Sequence, residues 1–322
     1  AENVVIQNVN FVYDDGSDVT REYNDFLNGA GASIMLDTAQ LAMAKEDGNY
    51  EKYVTIASNG MNVFLMWFNL HRQTYANVAD GAVASPKTEE QKEASVAAFQ
   101  NQHFRLALAY SIDRATYQSQ TVGEDLKEVS LRNSYVPATF ASLAEDVTVD
   151  INGESVTFPA GTFYGEIVQA QVDADGYPFK VWNAETNSGD GYDGWYNPEN
   201  AMAEMELALQ DLAEMGYEVS AENPVMIDYP YASYNENAAN QGYVLKTSIE
   251  TALDGLVQVN LLDCTDGTEF QNTWFNTQNG SEYNYDMGGI GGIGADFGDP
   301  ETFLDGLLPY GDGWVTAKMG LW

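Results

Sequence analysis

An α/β fold with mixed sheets and flanking helices is the architecture this sequence predicts, and three stretches predict it. The first is a strand from Val225 to Tyr229, a helix over 238–253, and a second strand carrying Val257, Val259 and Leu261. The helix turns Ala238, Gly242, Leu245, Ile249 and Ala252 inward. Strand, helix and strand at this spacing imply a right-handed parallel crossover. The second stretch, Val63 to Asn69, is a continuous apolar run of strand length, the pattern of a strand buried on both faces. The third is 284–305, where a short strand ending near Met287 runs into Gly288, Gly289, Gly291, Gly292 and Gly294, and Asp296 follows. Glycine tolerates positive φ and close backbone approach, so this bare segment is the place for a ligand to come near. Asp299 and Pro300 then read as N-cap and first residue of a helix that buries Phe303 and Leu304.

Two motif-like strings in that segment lack their context. Gly289, Gly291 and Gly294 spell G-x-G-x-x-G, but no helix opens directly on the glycines, so nucleotide binding is set aside. Asp296-Phe297-Gly298 has none of the companions of the kinase metal motif.

At 322 residues the chain is long enough for about two domains. The 20 Tyr, 14 Phe and 6 Trp supply a large core and argue against disorder. Lys and Arg total 13 against 49 Asp and Glu, a net charge of -36, which excludes nucleic acid as an ordinary partner. Charge of this size speaks to solubility, with weak selection for neutral or basic ligands close to the site. Cys264 is the only cysteine, so an intrachain disulfide and a zinc framework are excluded, and its place at a strand end suits a small buried hydrophobe. No apolar run has the length of a membrane span. No signal peptide is visible, as expected of a cytosolic protein or of a processed or cut piece of an exported one.

In chain order, Val9, Phe11 and Tyr13 alternate as in a strand, and 14–18 form an acidic turn without calcium-loop spacing. A short helix from Val19 to Leu27 closes at Asn28-Gly29. Thr88 and Gln91 make a capping box, and Phe104, Leu108 and Ile112 share a helical face, after which Asp113 and Arg114 end the helix and pair locally. Val147, Val149 and Ile151 precede Asn152-Gly153, a strong hairpin turn. From Gly161 to Trp195 periodicity is weak, the pattern of a long surface excursion. Asn197 and Pro198 open a helix whose face Ala201, Met205, Ala208, Leu212 and Met215 ends at Gly216.

Several of these segments resemble the peptide-binding solute receptors of bacterial ABC importers, the extracellular solute-binding family 5. Ala295, Asp296, Phe297, Asp299, Pro300 and Phe303 match that family's glycine-rich strand, Ala-Asp-aromatic and Asp/Glu-Pro turn. Arg105, Ala107, Leu108, Tyr110, Ser111, Ile112, Asp113 and Arg114 match its Arg-x-Ala-Leu-x-Tyr-Ala-Ile-Asp-Arg helix. Phe68-Asn69 resembles the end of its lobe-crossing strand, Tyr135-Val136-Pro137 is similar to a family segment, and the helix beginning at Asn197-Pro198 and closing at Gly216-Tyr217 is similar to another. Three features depart from the pattern: Ile293 stands where the family usually has Trp, the glycine run is about one residue longer, and no Arg lies between Asp286 and Asp296.

The resemblance implies a type II periplasmic-binding-protein-like fold. Residues 1–60 would be part of a first lobe up to the hinge crossing, 61–305 the second lobe and 306–322 the start of the return, in a fragment lacking the leading part and the C-terminal tail. It implies a non-enzymatic, monomeric substrate-binding component that captures short peptides for a membrane permease. That component would sit on the extracellular face of the cell membrane, lipid-anchored, or in the periplasm, and needs no cofactor or metal. The implied ligand-binding residues are Gly292, Ile293, Gly294, Ala295 and Asp296, with Trp67, Phe68 and Asn69. The peptide would pair with the glycine-rich strand by its backbone, and Asp296 would hold the peptide's ammonium group. The residues alone leave a second role open for each: Asp296 capping the following helix or turn instead, and Trp67 and Phe68 packing in the core rather than lining the cleft. The other readings kept open are the same fold binding a sugar or metal chelate, and a secreted acid hydrolase using two carboxylates. His71 and His103 are the only histidines and no nucleophile-elbow or H-E-x-x-H motif is present, which weighs against an enzyme.

Overall fold

A computed structural model describes residues 18, 20–56, 60–77, 83–274, 282–308 and 313–321, without the side chains at 274, 289 and 290. The strand expected at Val9 to Tyr13 lies outside them, as do all but Asp18 of the acidic turn at 14–18. The chain divides into two compact units, Ala1–Ala57 and Ser58–Trp322.

In the first unit, helices α1 (Arg21–Leu27), α2 (Thr38–Glu46) and α3 (Tyr50–Tyr53) are described. A capping box starts α2: Asp37 accepts from the Gln40 N–H, and the Gln40 side chain accepts from the Asp37 N–H. Tyr23 is buried, its hydroxyl accepts from Asn49 at 3.1 Å, and Phe26 meets Tyr53 edge-on.

The second unit begins with β1 (Val63–Phe68), followed by α4 (Glu89–Gln100), α5 (Gln102–Ser111) and α6 (Arg114–Val122). The Thr88–Gln91 capping box opens α4 as expected. Asn101 breaks the helical run and caps α5 through the Phe104 N–H, so the Phe104–Leu108 face belongs to a separate, shorter helix. Asp113 opens α6 by accepting from Thr116, and Arg114 reaches Asp193 at 2.9 Å; the local Asp113–Arg114 pair expected from sequence does not form. The hairpin β2 (Val147–Ile151) and β3 (Glu154–Phe158) turns on Asn152 and Gly153, both at positive φ. The expected surface excursion instead contains α7 (Tyr164–Ala174) and a small core of Val172, Phe179 and Val181, with Phe179 stacked on Trp195.

The parallel crossover is present. Helix α8 (Pro198–Glu214) precedes β4 (Val225–Ala232), α9 (Glu236–Ala252) and β5 (Val257–Cys264), and β4 and β5 pair in parallel from Val225–Val257 to Ala232–Cys264. The buried faces of α8 (Ala201, Met205, Ala208, Leu212) and α9 (Leu245, Ile249) close one core with Phe99, Phe104, Ile227 and Val259. Met215 is exposed beyond the end of the α8 face. Cys264 is buried, as a small hydrophobe would be. The chain continues through α10 (Gly267–Trp274), β6 (Met287–Ile293), α11 (Glu301–Leu304) and α12 (Trp314–Lys318).

The glycine-rich segment forms a strand. β6 includes Gly288, Gly289, Gly291 and Gly292, ends before Gly294, and pairs antiparallel with β1, with Val63 opposite Ile293, Phe64 opposite Gly292, Leu65 opposite Gly291 and Trp67 opposite Gly288. Two steps along β1 therefore face three along β6, a bulge that takes up one extra residue. None of Gly288, Gly291, Gly292 and Gly294 has positive φ, contrary to the conformational reason first suggested for them. Their bareness serves aromatic packing: a Cβ on Gly291 would run into the Trp67 ring, and one on Gly288 would lie 2.8 Å from the Tyr285 ring. Gly291→Ala is therefore expected to destabilise the chain by about 1–3 kcal/mol through overpacking. A lowered urea midpoint with an altered near-UV circular dichroism signal checks this.

Candidate functional site

The β1–β6 ribbon has two different faces. Trp67 and Ile293 turn inward, packing with Val63, Tyr285, Phe303 and Val315. The Trp67 ring meets Trp314 edge-on and lies, with Tyr283 and Trp314, within 6 Å of the Lys318 ammonium, which burial brings down to a pKa of about 8. Of the two places open to Trp67, the structure puts it in the core. Ile293 is 7% exposed, so it presents no side-chain wall where the family has Trp. Phe68 is half-buried against Phe99.

Asn69 is also interior. Its N–H donates to the Asp286 carbonyl at 2.8 Å, its Oδ1 accepts from the His71 N–H, and its buried Nδ2 has no hydrogen-bond partner among the described residues. The remaining four expected site residues, Gly292, Gly294, Ala295 and Asp296, run together along the exposed continuation of β6. Asp296 does not cap the next helix. Its backbone N–H donates to Thr302 Oγ1 at 2.9 Å, while Asp299 accepts from the Glu301 N–H and Pro300 is the N-cap of α11. The Asp296 carboxylate is exposed and accepts no hydrogen bond from the described residues. β4 comes alongside the start of β6, where the Asp286 N–H donates to the Asp228 carbonyl; past that point no second strand pairs with β6 among the described elements. β6 ends at Ile293, and three residues beyond it stands an exposed acid whose carboxylate has no hydrogen-bond partner among the described residues.

The base of the ribbon is held by a buried ionic network not anticipated from sequence. Asp286, just before β6, takes a Lys87 ammonium contact and lies 3.0 Å from Arg72 Nη1, which also bonds Asp228 Oδ2 of β4 at 2.7 Å. All four side chains are almost completely buried. Ser95 of α4 accepts from Lys87, Asn284 accepts from Arg72, and Asn260 of β5 donates to Asp228. The Asp286 and Asp228 backbones also bond, with Asp286 N–H donating to Asp228 O and Asp228 N–H to the Asp286 carboxylate. Burial alone would raise the Asp286 carboxyl pKa, but Lys87, Arg72 and the Asp228 N–H outweigh it and hold it below the usual carboxylate range. Burial would likewise lower Arg72, yet Asp286 and Asp228 keep its pKa raised, whereas for Lys87 burial wins and its pKa falls. Two acids and two bases thus balance inside the protein and clamp the ribbon to the β4–β5 pair. The available sequence signal was the scarcity of bases, since two of only 13 follow β1 and precede α4.

A separate open groove of about 620 Å³ is lined by Tyr75, Lys92, Glu93, Met215 and Tyr217 among others, and by none of the eight expected site residues. The ring of Tyr75 lies 4.3 Å from the Arg72 guanidinium carbon and 4.7 Å from Lys92 Nζ.

Comparison with known proteins agrees with the resemblance read from the residues. No family model matches the chain. The oligopeptide-binding protein AmiA of Streptococcus pneumoniae is 29% identical over 306 residues, covering 94% of this chain and 42% of that protein. The oligopeptide-binding protein SarA of Streptococcus gordonii is 27% identical over 318 residues, covering 98% of this chain and 43% of that protein. The chain therefore spans about two-fifths of the length of the curated relatives it matches. Among solved structures, the substrate-binding domain of an oligopeptide ABC transporter from Bacillus anthracis aligns with a TM-score of 0.53 at 18% identity, covering 94% of this chain and 42% of that one. The chain is thus similar to the oligopeptide-binding proteins AmiA and SarA, and its fold follows that of the corresponding part of the Bacillus anthracis substrate-binding domain, a type II periplasmic-binding-protein-like architecture.

Proposed function

We propose that this chain is part of the substrate-binding component of a bacterial ABC importer and captures short peptides. The peptide lies extended along the free edge of β6, where main-chain pairing is indifferent to side-chain identity, and its ammonium group meets Asp296. The observation that carries this reading is the Asp296 carboxylate, exposed and unpartnered among the described residues three residues past the end of β6, a strand whose far half pairs only with β1 among the described elements. Gly292, Gly294 and Ala295 keep the approach low, and Phe68, Asn69, Trp67 and Ile293 support the ribbon from within. The strongly acidic surface favours neutral or basic peptides near the site.

In this reading residues 1–60 are part of a first lobe, 61–305 the second lobe and 306–322 the beginning of the return. The protein works as a monomer without catalysis, on the extracellular face of the membrane or in the periplasm, and hands peptide to a membrane permease. Mass spectrometry of small molecules released by denaturing the purified protein tests the ligand class. Short peptides are expected; sugars or metal chelates in their place would overturn the peptide reading and leave the fold standing.

A further inference from the structure

An exposed aromatic ring stands on the face of the ribbon opposite Val63 and Trp67, beyond the point where Met66 and Phe68 of the same face pack against the main core. Phe64 is 69% exposed in the strand that carries the buried Val63 and Trp67. Its register partner is Gly292, also exposed, and a Cβ at Gly292 would lie 2.9 Å from Phe64 Cε1. The ring therefore lies across the bare strand, using the missing side chain of Gly292 as its seat. Beyond Gly292 the exposed face runs through Gly294 and Ala295 to Asp296. Four residues of extended chain reach at most about 14 Å, the length of four residues of a bound peptide.

We infer that Phe64 is a specificity wall, against which a peptide anchored at Asp296 lays one apolar or aromatic side chain from its first four residues. This rests on the peptide reading above. The position explains how an aromatic surface is available although residue 293 is an inward-facing Ile. Strand addition supplies affinity without side-chain discrimination, and a large exposed ring on the same face supplies a contact that depends on what the peptide carries there. Aromatic and apolar side chains gain most from such a contact, by offset or edge-on packing.

The test is calorimetry on the complete gene product that carries this chain, with free-amine peptides of alanine bearing a single Phe at position 1, 2, 3 or 4. The unsubstituted protein is expected to bind one of the four about tenfold more tightly than the all-alanine peptide. Phe64→Ala should remove most of that preference, with a much smaller loss for the all-alanine peptide and an unchanged urea midpoint. Absence of any positional preference, or its survival in Phe64→Ala, overturns the proposal. So does an equal loss for every peptide, which would mean that Phe64 packs against another part of the protein. N-acetylated versions of the peptides separate the two readings: if acetylation costs nothing, the Asp296 anchor fails whatever Phe64 does. If no peptide binds, both fall.

Discussion

Asp286→Ala is expected to destabilise the chain by about 3–5 kcal/mol, the cost of removing one partner from a buried ion pair and leaving a charge uncompensated. Lys87 and Arg72 would then share the single carboxylate of Asp228, inside a protein where neither cation reaches water. The loss is a large part of the stability of an ordinary domain, so the urea midpoint should fall steeply or the protein should fail to fold. Coupling identifies the mechanism. Pairing Asp286→Asn with Lys87→Met restores the balance to Arg72 and Asp228, and this double variant should be clearly more stable than the sum of its single changes predicts. Additive losses would mean that the contacts are incidental.

The same group sets an acid limit. Because the folded pKa of Asp286 is depressed, its contribution is fully present above the unfolded carboxyl value of about 4. That contribution is lost as pH falls through the lower folded value. Stability should therefore drop in that acid range in the unsubstituted protein, and the difference between it and Asp286→Ala should shrink there.

The second large effect is on binding. Asp296→Ala should weaken free-amine peptides about tenfold to a hundredfold, since a charge-assisted hydrogen bond contributes roughly 1.5–3 kcal/mol. The Asp296 side chain is exposed and holds no other described group, so the stability read from urea unfolding should change by less than about 0.5 kcal/mol. Asp286 and Asp296 stand ten residues apart, and one is expected to affect stability while the other affects affinity. Unchanged affinity in Asp296→Ala ends its role as anchor.

Local chemistry made much of the fold legible. The Thr88–Gln91 box, Asn152-Gly153, Asn197-Pro198 and the β4–α9–β5 periodicity each determine a backbone shape within a few residues, and each appears in the structure. The resemblance implies a glycine-rich strand here, whereas residue preferences alone end the strand near Met287, because glycine is a poor strand former and its run resembles a loop. Only its partner explains it: β1 lies more than 200 residues earlier and supplies the Trp67 and Phe64 rings that need the bare backbone. The ionic clamp was hidden for the same reason, since Arg72 and Asp228 are 156 positions apart and Lys87 and Asp286 are 199 apart. Composition among 49 acids cannot say which two are buried. In the candidate site, the stretch from Gly292 to Asp296 was visible because glycines and a single acid stand out in sequence. Phe64 sat inside an apolar run in which nothing marks the one side chain that turns outward.

The central claim, capture of peptides by their ammonium end, is tested most directly by titrating the complete gene product with matched short peptides that differ only in N-acetylation. The account predicts measurable binding of the free-amine peptides and a loss of about tenfold to a hundredfold on acetylation. Equal affinity for both forms, or no binding of either, would contradict it.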